Sequence, residues 1–114
     1  MIIAMLAAAA MSPSYNHCLN SGDAANGVQI AMDQCASTEL AVQDGRLNQA
    51  YVMRMNSLDQ RRKLILRGMQ RQWIADRDRR CAVRRGGGSL ASFTAADCRI
   101  TVTRQRIAFL ERYR

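Results

Sequence analysis

The sequence predicts an all-α fold: a long helical hairpin followed by a third helix, an antiparallel bundle stapled by two disulfides. Three observations carry this. Apolar residues recur at steps of 3 and 4 in three separate stretches, the spacing that keeps one helix face buried. No segment alternates apolar and polar residues as a half-buried strand does, and the one proline, Pro13, precedes all three stretches. Four cysteines sit in a 114-residue chain. An even count in a short chain reads as a disulfide framework if the compartment is oxidising. A single domain of this length has much surface for its volume, so cross-links add what a small core lacks.

Residues 1–11 read as a signal peptide, leaving one helical domain over 12–114. Met1 to Ala10 is an uncharged apolar run ending in an Ala8-x-Ala10 cleavage pattern, and Ser12-Pro13 makes a polar break. No Lys or Arg precedes the run, as in a leader shortened at its start. The run falls short of the roughly 20 apolar residues that span a bilayer. No second apolar run exists, so no transmembrane segment is expected. Residues 12–27 are polar and glycine-containing, and read as an irregular arm carrying His17 and Cys18.

The first long helix is expected over about residues 27–56. Asn26 with Gln29 has the spacing of a capping box. Met32, Ala36, Leu40, Leu47, Tyr51, Met55 and Leu58 form its apolar face. Asn56, Ser57 and Asp59 supply a turn and a cap. The second helix, about 60–83, turns Leu66, Met69, Trp73 and the stem of Arg77 inward, with Ile65 and Ile74 beside them. Gly86, Gly87, Gly88 and Ser89 end it in a mobile loop. Thr94 with Asp97 reads as another cap, and the third helix runs over about 95–112. Its face is Ala96, Ile100, Thr103, Ile107 and Leu110.

Folding the hairpin near residue 58 brings Cys35, Cys81 and Cys98 to one end, within reach of Cys18. Three connectivities are open. The expected pairs are Cys18 with Cys35 and Cys81 with Cys98; the alternative joins Cys35 to Cys81 across the hairpin. Zinc is disfavoured, because no C-x-x-C knuckle places two thiolates on one ion, and nothing in the sequence calls for a cofactor.

The net charge is +8, and it is uneven. Residues 1–60 sum to −3, residues 61–85 to +8 and residues 86–114 to +3. An arginine-rich helix of this kind can neutralise phosphates or be a solvated face whose arginine stems cover apolar surface. Trp73 and Tyr51, the nearby aromatics, fall on the expected core face, so no stacking platform for single strands is present. Nucleic acid is the disfavoured partner. Catalysis also lacks support: His17 is the sole histidine and sits in the arm. Asp76 and Asp78 lie two apart on a helix and do not share a face. The chain reads as a binding protein, not an enzyme.

Asp44-x-x-Leu47-Asn48-x-x-Tyr51 resembles a D-x-x-L-N-x-x-Y signature. Gln70-x-x-Trp73-x-x-x-Arg77-Asp78-x-x-Cys81 resembles a Q-x-x-W-x-x-x-R-D-x-x-C signature. Both belong to the lysozyme inhibitor LprI-like family, and Cys18, Cys35, the glycine loop, Cys98 and Thr103-x-x-Arg106 with Leu110 follow in order. The resemblance implies a small helical protein exported to the bacterial periplasm or envelope, in some members an inhibitor of lysozyme. Read physically, Gln70, Trp73 and Arg77 share a helix face. Asp44 or Asn48 is placed to pair with Arg77 or Gln70, and Arg106 to join them. This is expected to be a network that fixes helix register. The expected partner is lysozyme or another cell-wall lytic enzyme, met by the loop Arg84, Arg85, Gly86, Gly87, Gly88 and Ser89. The alternative is an adaptor that binds an anionic envelope component through the arginine face.

Overall fold

The computed structural model describes residues 11–114, so all of the proposed leader except Met11 lies outside them. Among the described residues there are five helices: α1 (Pro13–Leu19), α2 (Gly22–Ala25), α3 (Gln29–Asn56), α4 (Gln60–Arg80) and α5 (Ala91–Arg112). None is long and apolar enough to cross a membrane. The two expected disulfides are present, Cys18–Cys35 and Cys81–Cys98, with Cα–Cα distances of 5.8 and 5.5 Å.

The arm is more regular than its composition suggests. Pro13 occupies the first position of α1, where a missing N–H costs nothing and a fixed φ favours the helix. Asn26 does not cap the long helix; it closes α2. Gly27, at φ 79° in the left-handed region, then turns the chain, and α3 starts from Val28 without a side-chain cap. Asp59 does act as expected, its carboxylate accepting the Arg62 N–H at 2.9 Å. The third helix starts earlier than expected, at Ala91, so Thr94 is already inside it. Asp97 therefore serves elsewhere and accepts the Tyr15 hydroxyl at 2.9 Å.

α3 and α5 are the closely packed pair. They run parallel. At one end Gln29 donates to Ser92, which donates to Asp33. At the other end Arg54 donates to the carbonyls of Leu110 and Glu111 at 2.9 and 2.7 Å, satisfying acceptors that the end of α5 leaves open. α4 runs back antiparallel and approaches chiefly through long side chains.

The core has two apolar parts. Tyr15, Ala24, Cys35, Ala36 and Ile100 fill the disulfide end, and Leu47, Leu66, Ile107 and Leu110 fill the hairpin end. A polar layer separates them. Glu39, Gln43 and Thr103 are almost fully buried. Glu39 accepts the Ser12 N–H at 2.8 Å and the Gln43 amide at 2.9 Å, tying the arm to α3. On α4, Leu66 is fully buried, whereas Met69, Ile65 and Ile74 are exposed, correcting the expected face. The buried stripe steps by 4 from Leu66 to Gln70, with Trp73 and Arg77 partly covered.

Burial holds the Tyr15 phenol well above its ordinary pKa, assisted by the hydrogen bond and charge of Asp97 and by the charge of Glu39. An acid whose pKa is raised on folding stabilises the fold fully below its unfolded value, about 10 for tyrosine. That stabilisation fades as pH climbs past about 10, because the unfolded chain then releases the proton first. Denaturation midpoints should therefore fall between about pH 9 and about pH 11, and Tyr15→Phe should flatten that slope.

Candidate functional site

Arg77 joins three helices. Its Nη1 donates to Asp44 Oδ1 on α3 at 2.9 Å and to Thr103 Oγ1 on α5 at 3.1 Å. Its Nε meets Asp78 at 3.2 Å, and its guanidinium lies 5.3 Å from the Trp73 ring centroid. Thr103 has no exposure, so this bond satisfies a hydroxyl that water does not reach. Arg106 on α5 repeats the pattern. Its Nε donates to Gln70 Oε1 at 2.9 Å, and its guanidinium lies over Phe109 and beside Trp73 at 4.2 and 5.6 Å. Trp73 is thus flanked by two cations and only half-buried, where the sequence alone suggested full burial.

Asp44, Gln70, Trp73, Arg77, Asp78 and Arg106 therefore meet in one network, with Leu47 in the core beside it. Asp78 is half-exposed and also lies 3.8 Å from Arg99. Exposed ion pairs of this kind contribute about 1 kcal/mol or less. The buried bond to Thr103 does more to fix register.

Asn48 and Tyr51 do something different. With Asp44 and Leu47 they form the α3 wall of an open groove of about 550 Å³. Arg67, Gln70, Arg71, Ile74 and Arg77 form its α4 wall. Beside the groove the Arg77–Asp44 ion pair spans α3 and α4, while their apolar contact is made at Leu47 and Leu66. The spacing of the two signatures held this information, since every α3 residue in the first signature lines the groove.

The loop lies beyond the other end of α4. Residues 82–90 are all exposed. They form two hydrogen-bonded turns, Gly87 N–H to Arg84 O and Ala91 N–H to Gly88 O, each at 3.2 Å. Gly86 and Gly88 take φ of 72° and 80°, which side chains with a Cβ rarely adopt. The Cys81–Cys98 bridge closes the base. Arg79 and Arg80 before Cys81, and Arg84 and Arg85 after it, are all exposed, making a cationic tip on a cross-linked support. The network and the loop are separate sites.

The family model described as Lysozyme inhibitor LprI matches residues 18–110, which span the last two residues of α1, all of α2, α3, α4 and the loop, most of α5, and all four cysteines. No curated protein and no solved structure matches the chain.

Proposed function

The chain belongs to the lysozyme inhibitor LprI family, and from that membership we propose that it is an exported periplasmic or envelope protein that occludes the cleft of a cell-wall lytic enzyme. The observation that carries the mechanism is the cationic tip at residues 84–89. Glycosidases of the lysozyme type work with two carboxylates flanking the scissile bond. A narrow, basic, glycine-shaped turn complements such a cleft, and its disulfide base lowers the entropy lost on binding. The Arg77 and Arg106 network serves as the frame that holds α4 and the loop in place.

Charge selects among targets. At +8 the protein is repelled at long range by cationic lysozymes and attracted by acidic ones. Inhibition should therefore be strongest for lytic enzymes with an acidic face, and should weaken as salt rises. The test is an inhibition assay on several lysozymes at low and moderate salt. Replacing Arg84 and Arg85 together by alanine should weaken inhibition by at least about tenfold, the loss of about 1.4 kcal/mol, without moving the melting temperature. Full inhibition by that variant would remove the loop from the mechanism.

A second reading has its own observation. Arg61, Arg62, Arg67, Arg71, Arg79 and Arg80 are exposed along α4. An adaptor that binds an anionic envelope polymer through this face would show a steep salt dependence and no effect of the loop variant.

A further inference from the structure

The groove between α3 and α4 has no part in the loop reading, yet its chemistry is specific. Its volume of about 550 Å³ is that of a small-ligand site. Arg67 and Arg71 lie one helical turn apart on its α4 wall, exposed, and neither forms an ion pair with a described residue. Arg77 is already matched by Asp44 and Asp78. The groove therefore carries two uncompensated guanidiniums, the group best suited to grip a planar carboxylate.

The remaining lining narrows the ligand. Asn48 is exposed and presents an amide, which pairs best with another amide because each offers one donor face and one acceptor. Leu47 and Ile74 are the aliphatic side chains of the lining. Two aliphatic residues are too few for an amphipathic helix, which needs anchors at i, i+3, i+4 and i+7, but they suffice for a methyl group. Tyr51 adds an aromatic wall of the kind that sugar rings pack against. An anion, an acetamide with its methyl, and a ring face are together the features of a carboxylated N-acetyl sugar.

We propose that this groove binds an oligosaccharide bearing both a carboxylate and an acetamido group. The carboxylate sits between Arg67 and Arg71, and the acetamide reaches Asn48 with its methyl over Leu47 and Ile74. The site is independent of the loop and holds whether or not the loop inhibits an enzyme.

The experiment is calorimetric titration of the full protein with three probes. N-acetylglucosaminyl-N-acetylmuramic acid carries both groups. N,N′-diacetylchitobiose carries the acetamide without the carboxylate, and tri-glutamate carries carboxylates without a sugar. The first should bind at least about tenfold more tightly than either control. Arg67→Ala with Arg71→Ala should weaken it by about tenfold or more, and Asn48→Ala should weaken it without changing tri-glutamate. All three positions are exposed, so the variants should keep the parent melting curve. The loop variant should bind as the parent does. Three results would overturn the proposal: no saturable binding of the disaccharide by about 10 mM, equal binding of tri-glutamate, which would mark an acidic-peptide site, or unchanged binding after loss of both arginines.

Discussion

Replacing Cys81 and Cys98 together by serine should lower the free energy of unfolding by about 3 kcal/mol, and replacing Cys18 and Cys35 should cost about the same. Both bridges join residues 17 apart in sequence, so the chain-entropy model assigns them equal loops. For a domain of this size about 3 kcal/mol is a fall of roughly 15 °C in melting temperature. Removing both pairs should take away about 6 kcal/mol, a large share of the 5–15 kcal/mol or so that domains possess. Thermal melts followed by circular dichroism measure this directly. The two bridges should differ in function. Loss of Cys81–Cys98 frees the base of the loop and should weaken inhibition at temperatures where the fold survives. Loss of Cys18–Cys35 loosens only the arm and should leave inhibition intact. Equal loss of inhibition in both variants would mean that the loop does not depend on its closure.

Leu66→Ala should cost about 3 kcal/mol or more, within the range of about 2–5 kcal/mol for a fully buried leucine. Leu66 has no exposure and touches both long helices through Leu47, Ile107 and Leu110. It is the one fully buried aliphatic side chain of α4, whose other contacts are made by polar or half-buried groups. Met69→Ala, one turn along but exposed, should cost less than about 1 kcal/mol. Trp73→Ala should fall between the two, because part of the ring already faces water. Urea denaturation of the three variants ranks them; a Met69 loss equal to that of Leu66 would show that α4 is rotated from the orientation described.

Much of this was legible in the sequence. The third helix announced its buried face almost residue for residue, since Ile100, Thr103, Ile107 and Leu110 repeat at steps that only a helix satisfies. A turn at residue 58 gathers the four cysteines at one end but leaves three connectivities open; the favoured pairs, Cys18–Cys35 and Cys81–Cys98, are the ones present. The polar layer was not legible from hydropathy, because Glu39 and Gln43 are buried by a partner, the Ser12 N–H, 27 residues away from Glu39. One signal pointed to them: Cys35, Glu39, Gln43 and Leu47 step by 4, so phasing the helix on its cysteine puts both polar residues inside. The arm was misread because Ser12-Pro13 looks like a break, although serine then proline is also how helices begin. The network was partly legible. Asp44 with Arg77 joins the two signatures as one of the expected pairings, and Arg106, outside both, joins through Gln70, but the groove beside them did not follow, since no local pattern tells how far apart two helices stand.

The described chain measures 50 × 33 × 15 Å. Its thinnest dimension is little more than one helix diameter, about 10–12 Å with side chains. A plate of this kind has little depth, and every helix shows at least one flank to solvent. Such a shape gives up the insulation that thicker proteins rely on and gains two broad faces and a long rim for contact. Covalent ties at one edge replace the missing thickness, and a small chain can then offer separate docking places without their interfering.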